Sequence, residues 1–201
     1  MSRKVFWDTV SPIYSRFMRN NEGVYRKSCR KITPYLSNGM KMLELGCGTG
    51  EFTGMLSESV GDYTASDFSE GMVRRCYSRL NGRGVRFKVE DAMNLSFGSE
   101  SFDAVLIANA LHVVPDPERV LQEIHRVLKR GGLLLAPTFI FNRNTTKIRV
   151  RLLEMIGFKV YNKWSGEDLL DFVTKYGFEI ISQDKIEASP LSELVLISRK
   201  I

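Results

Sequence analysis

The sequence predicts an α/β fold built on a mostly parallel β-sheet, and three observations support this prediction. Short apolar runs alternate along the chain with amphipathic segments, a pattern typical of parallel strands connected by helices. A glycine-rich loop, Gly46–Gly50, directly follows the first apolar run. Two final apolar runs are joined by a short turn containing Pro190, and so short a connection favours an antiparallel hairpin.

The expected strands are short runs that are either apolar throughout or alternate with charged residues. They lie at 40–45, 63–66, 85–89, 102–108, 133–139, 178–186 and 191–198. The run at 102–108 is apolar almost throughout, as a central strand buried on both faces should be. We therefore expect five parallel strands first and the hairpin last.

The segments between the strands predict helices with recognisable ends. These helices are expected within 4–36 and at 52–60, 70–80, 117–130, 145–157 and 166–176. Ser69 and Ser165 are suitable N-caps, because a serine hydroxyl accepts a hydrogen bond from an N–H group of the first turn. Pro117 suits the first position of a helix, and Gly177 suits the position after a last turn.

Length and composition exclude several classes of protein. The 201 residues, of which 43% are hydrophobic and 26% charged, fit one globular domain. No stretch approaches the ~20 apolar residues of a membrane helix, and no apolar segment follows the basic N-terminus, so we expect neither a membrane span nor a signal peptide. Three widely spaced cysteines predict neither a disulfide framework nor a metal site, and the cytoplasm is the simplest location.

The net charge of +6 leaves the kind of partner open. Such a charge can indicate RNA, a membrane surface or an anionic small molecule. The basic residues are spread along the chain without a block of five or six like charges, so a solvated surface explains them better than a functional basic face does.

The loop Gly46–Gly50 predicts a close approach of the backbone to a ligand, because glycines allow a tight turn and carry no Cβ atom. Its spacing is G-x-G-x-G followed by Glu51, so the dinucleotide fingerprint G-x-G-x-x-G fails at its last glycine. No Lys-Ser/Thr pair follows, which excludes a phosphate-binding P-loop. The start of the next helix is expected to offer free N–H groups to an anionic group such as a carboxylate.

Asp67 follows the second expected strand, at the edge of the sheet where the glycine-rich loop also lies. A carboxylate at this position can accept two hydrogen bonds from ribose hydroxyls, as in nucleotide-binding folds. The loop and Asp67 together predict a ligand that contains a ribose.

Five segments in the same order resemble the class I S-adenosylmethionine (SAM)-dependent methyltransferases, over roughly residues 40–139. They are Leu43–Gly50, Asp67, Val89–Phe97, Phe102–Leu106 and Val120–Gly132. The chain is most similar to the subgroup of ubiquinone and menaquinone biosynthesis methyltransferases. This resemblance implies a Rossmann-like, doubly wound sheet of seven strands, mostly parallel with an antiparallel C-terminal hairpin strand, together with an N-terminal helical lid.

On this basis the chain is expected to form a single methyltransferase domain over residues 1–201. Residues 1–38 would form the helical lid and residues 39–139 the cofactor-binding core. Residues 140–201 would supply the acceptor-side helices and the C-terminal strands.

The resemblance implies SAM as the cofactor and assigns residues to its methionine part. Glu44 and the glycine-rich loop would face this part of SAM. The loop residues assigned to the cofactor are Gly46, Cys47, Gly48 and Gly50. Asn109, after the fourth strand, would contact the methionyl amino group through its carbonyl.

The resemblance also assigns residues to the adenosine part. Asp67 would hold the ribose, with Phe68 and Met72 beside the adenine. Asp91 would accept a hydrogen bond from the exocyclic amine of the ring. The backbone that would read the edge of the ring belongs to Ala92 and Met93.

Methyl transfer from a sulfonium is an in-line displacement, so alignment supplies much of the acceleration and a base is needed only if the acceptor must lose a proton. His112 is the best candidate base, because it follows the fourth strand and a histidine can titrate near neutrality. A structural or substrate-shaping histidine is the alternative. Tyr14 could cover the cofactor or reach the acceptor, or simply pack within the lid.

The sequence favours a small-molecule methyl acceptor. Residues 109–112 read Asn-Ala-Leu-His and lack the Pro-Pro-aromatic motif of amino methylation, and no Pro-Cys pair marks a cytosine-methylating nucleophile. An RNA or protein methyltransferase that uses the basic surface is one alternative, and a non-catalytic SAM-binding protein is another. No RNA-binding module is visible, so we do not expect a nucleic-acid partner. The oligomeric state, monomer or homodimer, stays open.

Overall fold

The computed structural model describes residues 21–141, 161–188 and 191–201. Four expectations concern residues outside these ranges. They are the part of the helical lid before residue 21, the role of Tyr14, the helix at 145–157 and the turn at Pro190.

Seven strands form one sheet in the described part of the chain. They are β1 (Lys41–Leu45), β2 (Asp62–Asp67), β3 (Val85–Val89), β4 (Phe102–Ile107), β5 (Leu128–Phe139), β6 (Phe178–Ile186) and β7 (Glu193–Lys200). Their order across the sheet is β3-β2-β1-β4-β5-β7-β6. Strands β1 to β5 pair in parallel, and β7 runs antiparallel to both β5 and β6. The predicted doubly wound, mostly parallel sheet is confirmed.

Five α-helices accompany the sheet in the described ranges. They are α1 (Glu22–Ile32), α2 (Glu51–Leu56), α3 (Glu70–Leu80), α4 (Pro117–Val127) and α5 (Gly166–Lys175). Short 3₁₀ turns lie at Thr33–Tyr35, Ser57–Ser59 and Leu111–Val113. Among these described helices, none is long and apolar enough to cross a membrane.

The two serine N-caps are confirmed. The Ser69 hydroxyl accepts a hydrogen bond from the Met72 N–H group at 3.1 Å and starts α3. The Ser165 hydroxyl accepts from the Asp168 N–H group, while the Asp168 carboxylate accepts from the Ser165 N–H group. This reciprocal capping box satisfies two donors at the start of α5.

The predicted end of α4 is wrong by three residues. The helix stops at Val127, and Leu128 is already extended and pairs with Phe102 of β4. Lys129 and Arg130 therefore lie exposed in the first part of β5 and not in the last turn of a helix. The backbone pairing with β4 outweighs the local helical pattern here, because it fixes the start of a buried strand.

Alternate residues of the central strands bury against opposite faces of the sheet. Met42 of β1 packs with α1, α2 and α3, whereas Leu43 packs with α4 and α5. The result is a three-layer arrangement with the sheet in the middle. The chain order reverses between β1 and β4, and parallel sheets bind ligands at the carboxyl ends of the strands beside such a switch point.

Candidate functional site

A cleft opens at the carboxyl ends of β1, β2 and β4, at the switch point of the sheet. It contains about 910 Å³ of empty space, part of it open to solvent. Its walls comprise Leu45, Gly46, Gly48, Met72, Val113, Val114 and the segments 66–68, 90–93 and 107–110. A smaller cavity of about 310 Å³ adjoins it through Gly46, Gly48 and residues 108–109, and is lined further by residues 44, 47, 51 and 52.

The glycine-rich loop brings the backbone to the wall of the cleft. Gly46 and Gly48 have positive φ angles of 71° and 54°, and a Cβ atom added to Gly46 would lie 3.1 Å from the Ala110 Cβ. Both positions therefore favour glycine.

Three N–H groups of the loop itself are engaged within the protein, so an anion would have to bind at the start of the next helix, as the sequence predicts. The N–H group of Cys47 donates to the Ser66 carbonyl, that of Gly48 to Asp67, and that of Gly50 to the Cys47 carbonyl. The following helix, α2, has only six residues and begins with an acidic side chain.

Asp67 lies at the end of β2 and ties the loop to the next helix. Its Oδ2 accepts from the Gly48 N–H group at 3.0 Å, and its Oδ1 accepts from the Ser69 N–H group at 2.9 Å. A carboxylate oxygen can accept more than one hydrogen bond, so Asp67 can brace the loop and also accept from a hydroxyl group in the cleft.

Glu44 is buried beneath the glycine-rich loop, where it lines the smaller cavity. Its Oε2 accepts from the Thr53 hydroxyl at 2.5 Å and from the Tyr63 hydroxyl at 2.8 Å. Burial raises the pKa of Glu44 to about 7, more than these two hydrogen bonds lower it. A positive group in the smaller cavity would draw this carboxyl toward its ionised form.

The opposite end of the cleft is formed by the turn after β3. Asp91 Oδ1 accepts from the Met93 N–H group at 3.0 Å, and the Asp91 carbonyl accepts from the Asn94 N–H group at 2.8 Å. These bonds fix the turn so that Asp91 and its two neighbours line the cleft. Phe68 and Met72 lie on the same lining, as the adenine assignment requires.

The lining of the two cavities is rich in acidic residues, two of which are ion-paired with cations outside the lining, Glu51 with Arg79 and Glu90 with Lys88. This lining includes the carboxylates of Glu44, Glu51, Asp67, Glu90 and Asp91, and no described lysine, arginine or histidine. Such a lining favours a ligand that carries positive charge and disfavours phosphate groups. Among the described residues, no group of three or more histidines, cysteines or acids is arranged to hold a metal ion.

His112 is buried and does not line the cleft, although the next residue, Val113, does. Its ring packs edge-on to Phe139 and Phe141, and its Nδ1 has no hydrogen-bond partner among the described residues. Burial lowers the pKa of His112 to about 4. The expectation that it titrates near neutrality is therefore wrong.

Asn109 adopts a positive φ of 50° directly after β4. Its N–H group donates to the Pro137 carbonyl at 2.8 Å, and its Oδ1 accepts from the Phe139 N–H group at 3.0 Å. Its Nδ2 donates to Oε1 of Glu193 at 2.6 Å. Both ends of the side chain are thus engaged with β5 and β7, so a carbonyl offered to a ligand is that of the main chain.

The structure also shows site residues that the sequence did not reveal. Tyr63 and Thr53 hold Glu44, Glu90 lines the cleft, and Glu193 holds Asn109. Only Glu90 lies in one of the five family-like segments, Val89–Phe97. A lone glutamate at the start of an apolar strand, such as Glu193, resembles a surface residue in sequence.

Gly50 lines neither of the two cavities. Its φ angle is 88°, and a Cβ atom there would lie 2.7 Å from Sγ of Cys76 and 2.9 Å from Cδ1 of Leu80. The close packing of the loop against α3 is what requires a glycine at this position.

Comparison with known proteins agrees with this geometry. Residues 43–136 match a family described as a methyltransferase domain. The demethylmenaquinone methyltransferase of Staphylococcus haemolyticus is 31% identical over 173 residues, which cover 82% of this chain and 71% of the relative. A SAM-dependent methyltransferase from Thermotoga maritima has a TM-score of 0.73 at 26% identity, with 97% and 98% of the two chains covered. The Haloferax volcanii methyltransferase solved with the Trm112 activator has a TM-score of 0.80 at 20% identity, with 99% of both chains covered.

The chain therefore belongs to the SAM-dependent methyltransferase family, and its cofactor is S-adenosylmethionine. Among the curated relatives it matches first, it spans about half of their length, namely 56%, 42% and 48% of three demethylmenaquinone methyltransferases.

Proposed function

We propose that this chain transfers the methyl group of SAM to a small organic acceptor. The observation that carries the proposal is the acidic cleft at the switch point of the sheet, lined by five carboxylates and by no described basic side chain. The sulfonium and the ammonium of SAM are positive and suit this lining. Curated relatives are named for small organic acceptors, demethylmenaquinone among them.

In this proposal different residues of the cleft bind different parts of the cofactor. Asp67 accepts from the ribose hydroxyls, and Asp91 accepts from the adenine amine. Glu44, the loop backbone at Gly46 and Gly48, and the main-chain carbonyl of Asn109 receive the methionine part. The support is that all of these residues border the cleft or the adjoining cavity.

When bound, the cofactor supplies an electrophilic methyl group on a good leaving group. The chain contributes alignment, because the fixed walls hold the methyl donor in one orientation toward the acceptor. If the acceptor must lose a proton, His112 is our candidate base; its pKa of about 4 leaves it neutral at physiological pH but only weakly basic, so the acceptor that it serves must be readily deprotonated. Tyr14, the other candidate, lies outside the described residues.

The cytoplasm is the location we propose. Cys29, Cys47 and Cys76 are buried free thiols, a state that a reducing compartment maintains. A nucleic-acid partner is not part of this proposal.

Calorimetry with SAM tests the assignment of the site. Wild type should bind SAM, and Asp67→Ala should weaken binding at least about tenfold, because each hydrogen bond to a charged group contributes about 1.5–3 kcal/mol. Asp171→Ala, at an exposed position of α5, is the matched control and should bind as wild type does. Wild-type affinity in Asp67→Ala would refute the ribose assignment, and a wild type that binds no SAM would overturn the proposal.

A second experiment addresses the acceptor and the base. A metabolite extract incubated with wild type and SAM should yield a product heavier by one methyl group, detected by mass spectrometry. With that acceptor, His112→Ala should lower kcat about 10²-fold or more and leave SAM affinity unchanged. An unchanged kcat would show that His112 only packs against the phenylalanines.

A further inference from the structure

Glu193 is an acidic side chain with zero exposure at the first position of β7. Its Oε1 accepts from Nδ2 of Asn109 at 2.6 Å, and its Oε2 forms a short hydrogen bond with the hydroxyl of Ser28 on α1. Three elements that are distant in sequence, α1, β7 and the end of β4, thus meet at one carboxyl group.

The hydrogen bonds allow two placements of the proton between Ser28 and Glu193. The Ser28 hydroxyl lies 3.1 Å from the Val24 carbonyl and has only one proton to donate. If that proton goes to Val24, Glu193 must carry the proton that it shares with Ser28. Burial raises the pKa of Glu193 more than the hydrogen bonds with Ser28 and Asn109 lower it, which favours this neutral form.

The neutral form completes a continuous chain of donors and acceptors. Phe139 donates to Asn109, Asn109 to Glu193, Glu193 to Ser28, and Ser28 to Val24. Every buried polar atom named here then has a partner, which is the condition for a buried network to stabilise one arrangement.

We propose that Glu193 is a positioning residue for cofactor binding, which acts by holding the left-handed turn at Asn109 and by docking α1 against it. The inference rests on the proposed function, because the main chain at Ala108 and Asn109 borders both the cleft and the adjoining cavity. A non-glycine residue at positive φ needs such external fixation, since this conformation costs about 1 kcal/mol.

Three substitutions separate this role from simple packing. Glu193→Gln keeps one acceptor for Asn109 and one donor for Ser28, so SAM affinity should stay within about threefold of wild type. Glu193→Ala removes the acceptor of the buried Asn109 Nδ2 and one of the two contacts of the Ser28 hydroxyl, and SAM affinity should fall about tenfold or more. Glu179→Ala, an exposed position on the neighbouring strand β6, should bind as wild type does.

A double-mutant cycle tests whether Glu193 acts through Asn109. Asn109→Gly keeps the positive φ angle at no steric cost but cuts the bond to Glu193. In that background Glu193→Ala should cost less SAM affinity than in wild type, because only the contact with Ser28 is left to lose, whereas an equal loss in both backgrounds would overturn the inference. If Glu193→Ala fails to fold, Asn109→Ala decides instead, because it removes the bond to Glu193 and keeps the steric cost of the positive φ angle; wild-type SAM affinity in this variant would overturn the inference.

The failures of the two proposals are distinguishable. A wild type that binds no SAM defeats the proposed function. A wild type that binds SAM, combined with unchanged binding in folded Glu193→Ala, defeats only the inference about Glu193.

Discussion

Gly50 and Gly82 separate two reasons for which a position requires glycine. Both have φ angles near +90°, but a Cβ atom at Gly50 would collide with Cys76 and Leu80, whereas nothing lies within 4 Å of one at Gly82. Gly82→Ala should therefore lower the free energy of unfolding by about 1–2 kcal/mol, from the backbone alone. Gly50→Ala adds overpacking and should cost about 2–5 kcal/mol.

Urea denaturation of both variants, followed by circular dichroism, measures this difference. Equal losses of stability would show that the packing of the glycine-rich loop against α3 relaxes freely, contrary to the geometry.

The buried Glu44 carboxyl group is expected to lower the stability of the fold at neutral and higher pH, where its ionised form would contribute to cofactor binding. Its folded-state pKa of about 7 lies above the ordinary value of 4.5, so the stability it contributes is fully present below about pH 4.5 and is lost as pH rises through 7. Above pH 8 the ionised form costs roughly 3 kcal/mol. Glu44→Gln is neutral at every pH and keeps an oxygen for Thr53 and Tyr63, so at pH 8 it should be more stable than wild type by up to that amount.

The same variant should bind SAM more weakly, because it removes the negative charge that we assign to the methionine part. Urea denaturation at pH 5 and pH 8, with calorimetry at pH 8, checks both statements. Glu58→Gln, whose side chain is 81% exposed, is the matched control. A Glu44→Gln variant that is no more stable at pH 8 than wild type would contradict the raised pKa.

At the scale of single residues, the sequence predicts the site residues that belong to a compact motif and does not predict the residues that hold them in place. Asp67 and Asp91 could be found because they follow strands in a recognisable order, and both border the cleft. Glu193 approaches Asn109 across 84 positions, and no local pattern encodes a contact of that kind. The lowered pKa of His112 could likewise not be predicted from the sequence, because it depends on burial against Phe139 and Phe141.

At the scale of elements, α4 anchors the turn that borders the adenine end of the cleft. Glu123 on this helix accepts from the Leu95 N–H group at 2.8 Å and pairs with Arg126 at 2.8 Å. Arg126 in turn donates to the carbonyls of Phe97 at 2.7 Å and of Leu95 at 3.1 Å. A helix on the surface of the sheet therefore fixes the segment that continues from Asp91.

Arg126→Ala should destabilise the fold by about 2–3 kcal/mol, because the buried Glu123 carboxylate loses its closer cation and keeps only the weaker contact with Arg119 at 3.8 Å. The partial exposure of Arg126 keeps the loss below that of a fully buried pair. SAM affinity should fall as well, since the turn loses two hydrogen bonds. Arg126→Lys keeps the charge but cannot make the forked contact, and should recover only part of both losses.

Urea denaturation and SAM calorimetry measure the two effects, with Arg130→Ala, exposed in β5, as the control. The Arg126 pair also holds the pKa of Glu123 below its ordinary value, so this stability is present above pH 4.5 and disappears as pH falls below it. A loss of stability in Arg126→Ala that persists undiminished at pH 3 would contradict this account.

The order and type of the elements could be predicted because each strand and helix has its own hydrophobic period and end signals, such as the caps at Ser69 and Ser165. The end of α4 could not be predicted from such local signals. Leu128 continues the apolar stripe of the helix, yet it pairs with Phe102 in the sheet, and only the neighbouring strand decides between the two.

At the scale of the whole molecule, the C-terminal hairpin is hydrogen-bonded to the part of the sheet that borders the cleft. Strand β7 lies between β5 and β6, supplies Glu193 to the turn at Asn109, and carries Lys200, whose Nζ donates to the Leu128 carbonyl at 2.8 Å. Helix α1 packs through the Tyr25 ring on Phe52. These contacts favour the single-domain organisation that the sequence predicts. If they hold, the C-terminal part should unfold together with the rest of the chain.

Trp164 is a suitable reporter for this test, because its ring stacks on Phe172 at 5.0 Å in the C-terminal part of the chain. The chain has two tryptophans, so Trp7→Phe leaves Trp164 as the only source of tryptophan fluorescence. If one domain is present, the fluorescence and far-ultraviolet circular dichroism transitions on heating should coincide. SAM at one hundred times its Kd should raise both midpoints together, by roughly 5–10 °C. A Trp164 transition that occurs separately and ignores SAM would show that the C-terminal part unfolds independently of the cofactor core.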